Sequence, residues 1–204
     1  MNKDNVLFSL EKKLFFEEES IAKLLIFEQN LLKFNKKYNL ISKSTEKEIW
    51  SRHILDSAQI IKFIDPDTKK IADFGSGAGF PGLIISIYDL KNKFHVKLYE
   101  KSPVKRQFLR HMAIKLNLKV DILGNVYDED IKVDLIVSRA FKKLSEIIRI
   151  SRENYTKPHK LIILKGKNAE EELNSVSLDK NYSYKLIKSI TNNDSKIIIL
   201  EVKA

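Results

Sequence analysis

From Asp4 to Ile64 the apolar residues recur three and four apart: Leu7, Leu10, Leu14; then Ile21, Leu24, Leu25, Leu31, Leu32; then Ile49, Ile54, Leu55, Ile60, Ile61 and Phe63. That period puts one greasy stripe on each of three helices. Ser20 is the expected N-cap of the second helix and Ser44 or Thr45 of the third, with a break over Tyr38–Lys43. Asp65-Pro66-Asp67 ends the helical part, because proline disfavours helix in its predecessor and aspartates suit turns.

Beyond it the pattern changes. Short β-rich runs at Lys70–Phe74, Val96–Glu100, Val120–Leu123, Asp134–Ser138 and Lys160–Lys165 alternate with amphipathic stretches at Leu83–Leu90, Val104–Leu116, Leu144–Tyr155 and Ala169–Ser175. Such alternation predicts βαβ units and a mostly parallel sheet. Tyr182–Ile190 and Ile197–Val202, separated only by residues 191–195, read as an antiparallel hairpin. The expected architecture is α/β: a seven-stranded, mostly parallel sheet closed by a C-terminal hairpin (residues 68–204) behind a helical N-terminal extension (1–67). No repeat or low-complexity linker interrupts it.

Composition narrows the partners. With 43% hydrophobic and 31% charged residues among 204, the chain has matter for a packed core under a charged surface. A net charge of +10 suits a polyanion, although a Lys-, Ile- and Asn-rich composition inherited from the genome gives the same total. Placement favours the polyanion, since residues 1–70 carry net +2 and the rest +8. Lys101, Lys105, Arg106, Arg110, Lys115 and Lys119 form a tract without an acid, and nine bases from Arg139 to Lys167 face only Glu146 and Glu153. The absence of cysteine removes disulfides and thiolate chemistry, and the four histidines show no metal spacing, so no metal is expected. The N-terminus lacks a signal-peptide pattern and no segment is apolar enough to span a bilayer, which predicts a cytoplasmic protein without membrane partners.

The stretch Asp73–Gly82, DFGSGAGFPG, follows an apolar strand and opens a helix. Gly75, Gly77 and Gly79 allow left-handed backbone and close approach of a ligand to the main chain. Phe80 stands where G-x-G-x-x-G requires glycine and no Lys-Ser/Thr follows, so a dinucleotide or ATP phosphate site is disfavoured. An aspartate at the strand end followed by G-x-G-x-G resembles the cofactor loop of Rossmann-like S-adenosylmethionine (SAM) methyltransferases. Glu100, ending the second strand, supplies an acid to accept hydrogen bonds from ribose hydroxyls.

YNLIS (38–42), RHILDS (52–57), GSGAGFPG (75–82), YEKSPVKRQFLR (99–110), VSRAF (137–141) and LKGK (164–167) occur in an order similar to that of the glucose-inhibited division protein B family, the 16S rRNA guanine-N7 methyltransferases. The resemblance implies a class I SAM-dependent methyltransferase fold, SAM as cofactor, and 16S rRNA or the small ribosomal subunit as partner. It places SAM along Asp73, Gly75, Gly77, Gly79, Phe80 and Glu100, against Val126 and Tyr127, and near Arg139. Ala78, Glu100 and Tyr127 depart from the proline, aspartate and acid frequent at those positions. Arg139 is expected to hold the cofactor carboxylate or an RNA phosphate. Lys105, Arg106, Arg110 and Lys165 are the further expected RNA contacts, and a monomer is expected. His53 and Asp56, three apart, are either a helix-stabilising pair or part of the cleft wall.

Guanine N7 carries a lone pair and no proton, so its methylation needs positioning rather than a general base. That suits a chain without a cysteine nucleophile and without an N/D-P-P-Y/F stretch. No catalytic residue is singled out; Asp73, Asp56 and Glu100 are the candidates for favouring the developing positive charge. A methyltransferase for a small molecule or protein, and a non-catalytic SAM- or RNA-binding module, are the competing readings.

Overall fold

In the computed structural model, which describes residues 1–128, 131–154 and 157–203, seven strands form one sheet in the order β3-β2-β1-β4-β5-β7-β6. The strands are β1 (Lys70–Phe74), β2 (His95–Tyr99), β3 (Val120–Leu123), β4 (Leu135–Arg139), β5 (His159–Lys165), β6 (Tyr182–Lys188) and β7 (Lys196–Val202). The first five run parallel, and β7 inserts antiparallel between β5 and β6. The boundaries differ from the sequence reading by a residue or two. Asp134, expected to begin β4, instead accepts the Lys69 and Lys70 N–H groups at 2.8 Å through Oδ2 and fixes the entry to β1. Arg139, expected just after β4, is its last residue.

Central strands must be apolar on both faces, because helices cover both. Ile71, Leu98, Val137 and Ile162 point into one core layer, while their neighbours Ala72, Phe74, Ile136, Leu161 and Ile163 point into the other. The first layer is roofed by α1 (Lys3–Lys13), α2 (Glu18–Tyr38), α4 (Gly82–Tyr88) and α5 (Pro103–Lys115). The second is roofed by α6 (Leu144–Asn154) and α7 (Ala169–Asn174). The N-terminal helices share their core with the sheet rather than enclosing one of their own. Among the described residues no helix is long and apolar enough to cross a membrane. Tyr155, the expected last residue of the α6 helix, lies outside the described residues.

The helical part corrects two expectations. Ser20 does not cap α2, which starts two residues earlier; the Ser20 hydroxyl is buried and donates to the Ile87 carbonyl at 2.8 Å, tying α2 to α4. The expected third helix is a composite: a 3-10 segment at Lys43–Glu48, a π-helical segment at Ile49–Leu55, one α turn (α3, Asp56–Ala58) and a 3-10 segment at Gln59–Phe63. Its N-cap is Ser42, and the Thr45 hydroxyl is engaged by the His53 ring instead. Apolar spacing of three and four cannot separate these windings, and π segments recur at functional sites.

Candidate active site

The chain runs β1→β2→β3 toward one edge and returns to β4 beside β1, so a topological switch point opens at the carboxyl ends of β1 and β4. The glycine loop lies there. Gly75 and Ser76 N–H both donate to the Tyr99 carbonyl, at 2.9 and 3.0 Å, stapling the loop to β2. Glu100 then clamps it from the side: Oε2 accepts the Gly77 N–H at 2.9 Å and Oε1 the Ser102 N–H at 2.7 Å. Ser102 also caps α5 with its hydroxyl. Gly75 has φ +72° and a Cβ there would run into the Phe141 ring, so the loop and the β4 strand end touch through the missing side chain. Gly77 has φ +57° and no such neighbour, leaving its backbone open to a ligand.

A cleft of about 510 Å³ follows from this arrangement, within the usual range for small-molecule sites. Gly75, Gly77 and Glu100 form its floor, Asn125, Val126 and Tyr127 one side, and His53, Phe80 and Arg139 the other. Lys101, Lys105 and Lys142 reach its rim.

Arg139 is largely buried and held by groups inside the protein. One arm of its guanidinium donates to the Arg52 carbonyl at 2.9 Å and the other to His53 Nδ1 at 2.8 Å, with Asp56 Oδ2 at 3.6 Å and the Phe80 ring 4.9 Å below. Burial lowers the Arg139 pKa and Asp56 opposes that. A guanidinium only donates, so His53 Nδ1 must accept; Nε2 then carries the proton and donates to Thr45 Oγ1 at 2.9 Å. Burial, then the charges of Arg139 and Arg52, push the His53 pKa down to about 3. With its only lone pair taken, this imidazole is a neutral strut stacked on Phe80 and is no general base. His53 and Asp56 are therefore not a helix-stabilising pair: Arg139 bridges them, and only His53 lines the cleft.

Several expected site residues have other surroundings. Asp73 and Gly79 lie beneath the loop rather than on the cleft surface. Asp73 Oδ2 accepts the Gly82 N–H at 2.9 Å, Oδ1 has no hydrogen-bond partner among the described residues, and burial raises the carboxyl pKa to about 7. Phe80 and Val126 are both core and cleft wall. Tyr127 is exposed and donates its hydroxyl to Glu146 on α6, which raises the phenol pKa. Arg106 turns inward and donates to the Glu100 and Lys101 carbonyls at 2.8 and 2.7 Å, while Lys105 stays at the rim and Arg110 is exposed. Lys165 donates to the Lys142 carbonyl at 2.5 Å and to Glu172 at 2.7 Å, with only 11% of its side chain exposed. Among the residues left unassigned from sequence, Leu40 and Ile41 reach the cleft from the YNLIS turn and Ala140 and Phe141 from SRAF. Ala140 adopts φ +52°, a left-handed bend that aims Phe141 at Gly75.

Comparison with known proteins agrees with this geometry. The family model for rRNA small subunit methyltransferase G matches residues 20–197. The chain belongs to that family. It is 39% identical to the Ribosomal RNA small subunit methyltransferase G of Pelagibacter ubique, an alignment covering 88% of this chain and 87% of the relative. The Orientia tsutsugamushi protein of the same name is 35% identical, with 90% and 91% covered. Among solved structures, a putative O-methyltransferase from Klebsiella pneumoniae superposes with a TM-score of 0.61 at 12% identity over 98% of this chain and 96% of its own. A putative rRNA methylase from Clostridium thermocellum gives 0.51 at 13% identity, over 67% and 87%. The small-subunit methyltransferase G family thus has here the class I SAM methyltransferase fold, with the hairpin where the sequence placed it.

Proposed function

We propose that this protein transfers a methyl group from SAM to guanine N7 in 16S rRNA, acting as a cytoplasmic monomer. The observation that carries the reading is the cleft at the β1/β4 switch point, whose floor is a positive-φ glycine loop clamped by a carboxylate and whose His53 has both ring nitrogens engaged. These residues fit SAM. Glu100 spends one bond per carboxylate oxygen on the loop and keeps further lone pairs for ribose hydroxyls. The Gly75–Gly77 backbone gives close access to an amino-acid moiety, and Val126 with the Asn125–Tyr127 turn suits a flat nucleobase.

When bound, SAM supplies an electrophilic methyl group on a sulfonium. Guanine N7 offers its lone pair without losing a proton, so the protein's work is orientation and exclusion of water. His53, locked neutral between Arg139 and Thr45, holds the guanidinium and the Phe80 ring in place. Methyl transfer makes the purine cationic, and Asp56 offsets the Arg139 charge that would otherwise oppose this.

The test is the product. Purified protein, SAM and 16S rRNA or small subunits should yield N7-methylguanosine on nucleoside mass spectrometry, at a guanosine that becomes alkali-labile. Another methylated nucleoside, or none with either substrate, overturns the assignment.

A further inference from the structure

Behind the Arg139 wall lies a second cavity of about 480 Å³ that the cofactor reading leaves unused. Glu48, Arg52 and Asp56 of the composite helical segment face Thr191, Asn192 and Ser195 of the β6–β7 turn across it. The two cavities share His53 and Arg139, so these side chains form a partition one residue thick.

Its chemistry differs from that of the cleft rim. The rim carries Lys101, Lys105 and Lys142, the cations a phosphate backbone needs. Among the side chains of the basin two carboxylates, Glu48 and Asp56, balance two guanidiniums, Arg52 and Arg139, and Met1 also lines it. A basin whose side-chain charges cancel gains little from an anion, but it offers acceptors and donors side by side, the pattern that reads the edge of a nucleobase. Asp56 is already fixed: Oδ1 accepts from Gln59 at 2.9 Å, Thr191 at 2.9 Å and Ser189 at 3.3 Å, which binds the hairpin turn to the helical segment and makes the floor rigid. Glu48 and Arg52 touch each other at 3.3 Å and stay about half exposed, and Glu48 makes no capping bond, so both are available to a ligand without loss to the fold.

Resting on the methyltransferase reading above, we infer that this basin takes a nucleobase of the RNA flanking the methylated guanosine, with Glu48 accepting from its amino group and Arg52 donating to its carbonyl or ring nitrogen. The methylated base itself belongs in the cleft, because the Arg139–His53 partition stands between the basin and the glycine loop. Splaying adjacent bases to either side of that partition fixes the register of the strand.

Steady-state methylation of 16S rRNA by wild type, Glu48→Gln and Arg52→Ala tests this, with SAM titrations by calorimetry and RNA binding over a salt series. Both variants should raise the KM for RNA about tenfold, equivalent to ~1.4 kcal/mol, with SAM affinity and the slope of log K against log salt unchanged. A phosphate in the basin gives the opposite pattern: Glu48→Gln would tighten RNA binding, and Arg52→Ala would flatten the slope by about one. Either result overturns the inference, as does an unaltered KM in both variants. Loss of SAM affinity in both would make the residues part of the cofactor site and also overturn it. Failure of wild type to methylate RNA refutes the functional reading itself, and is seen before any variant is compared.

Discussion

Asp73 shows how burial and function pull on one side chain. Its carboxyl is desolvated, one oxygen supports the start of α4 and the other has no hydrogen-bond partner among the described residues, so the protonated form is favoured and the pKa rises from 3.8 to about 7. Between those values the folded protein binds more protons at this site than the unfolded chain, and the contribution to stability declines as pH rises through about 7. His53 runs the other way: held to about 3, it binds fewer protons folded than unfolded, so its contribution is lost as pH falls from 6.5 toward 3. Asp73→Asn keeps an oxygen for the Gly82 N–H and never titrates. The melting temperature of the variant relative to wild type should therefore rise between about pH 4 and pH 7 and level off above that; a difference that stays constant across that range would contradict the buried neutral acid. Lys165 makes a second residue-scale case. Its ammonium joins β5 to Glu172 on α7, and Glu172 also accepts the Leu144 N–H at 2.6 Å at the start of α6. Lys165→Ala should therefore cost roughly 1–3 kcal/mol in unfolding free energy and leave RNA affinity nearly unchanged in a filter-binding titration.

At the scale of elements, the glycine loop and the β4 strand end behave as one unit because Gly75 and Phe141 interlock. Gly75→Ala would drive a Cβ into the Phe141 ring and hold alanine at φ +72°, where the backbone term alone costs about 1–2 kcal/mol. SAM affinity should drop at least tenfold by calorimetry. Adding Phe141→Ala should recover part of it, since the collision goes and the backbone strain stays; wild-type affinity in Gly75→Ala would remove the loop from the cofactor site. Much of this was legible in the sequence. The short, nearly continuous apolar runs of β1, β4 and β5 announce a sheet covered on both faces, and the loop announces itself by glycines at alternate positions between a strand and a helix. Arg139's partners were not legible. Arg52 and His53 lie 87 and 86 residues away in sequence, and they meet it only because the π-helical segment faces the end of β4. Nor does charge content say where a long side chain points: Arg106 and Lys165 sit in basic tracts yet spend their charge on nearby carbonyls and Glu172.

Across the whole molecule the charge is lopsided, since most of the +10 belongs to the sheet half and Lys101, Lys105 and Lys142 collect at the mouth of the cofactor cleft. A polyanion is thereby drawn to the face where methyl transfer occurs, and its counterions are released there. Three bases within six residues on α5 separate this effect from structural use of charge. Arg110 is exposed and Lys105 lines the cleft rim, whereas Arg106 staples the β2–α5 turn that holds Glu100. The pair Lys105→Ala and Arg110→Ala should weaken RNA binding and reduce the slope of log K against log salt by about 0.7–0.9 for each phosphate no longer neutralised, with the melting temperature and SAM affinity little changed. Arg106→Ala should do the reverse. It frees two backbone carbonyls and loosens the turn beneath Glu100, so SAM affinity and melting temperature fall while the salt slope stays near wild type. Equal salt slopes for wild type and the double variant would mean that these two side chains do not face the RNA, and a flattened slope for Arg106→Ala would mean that its guanidinium leaves the turn to reach a phosphate.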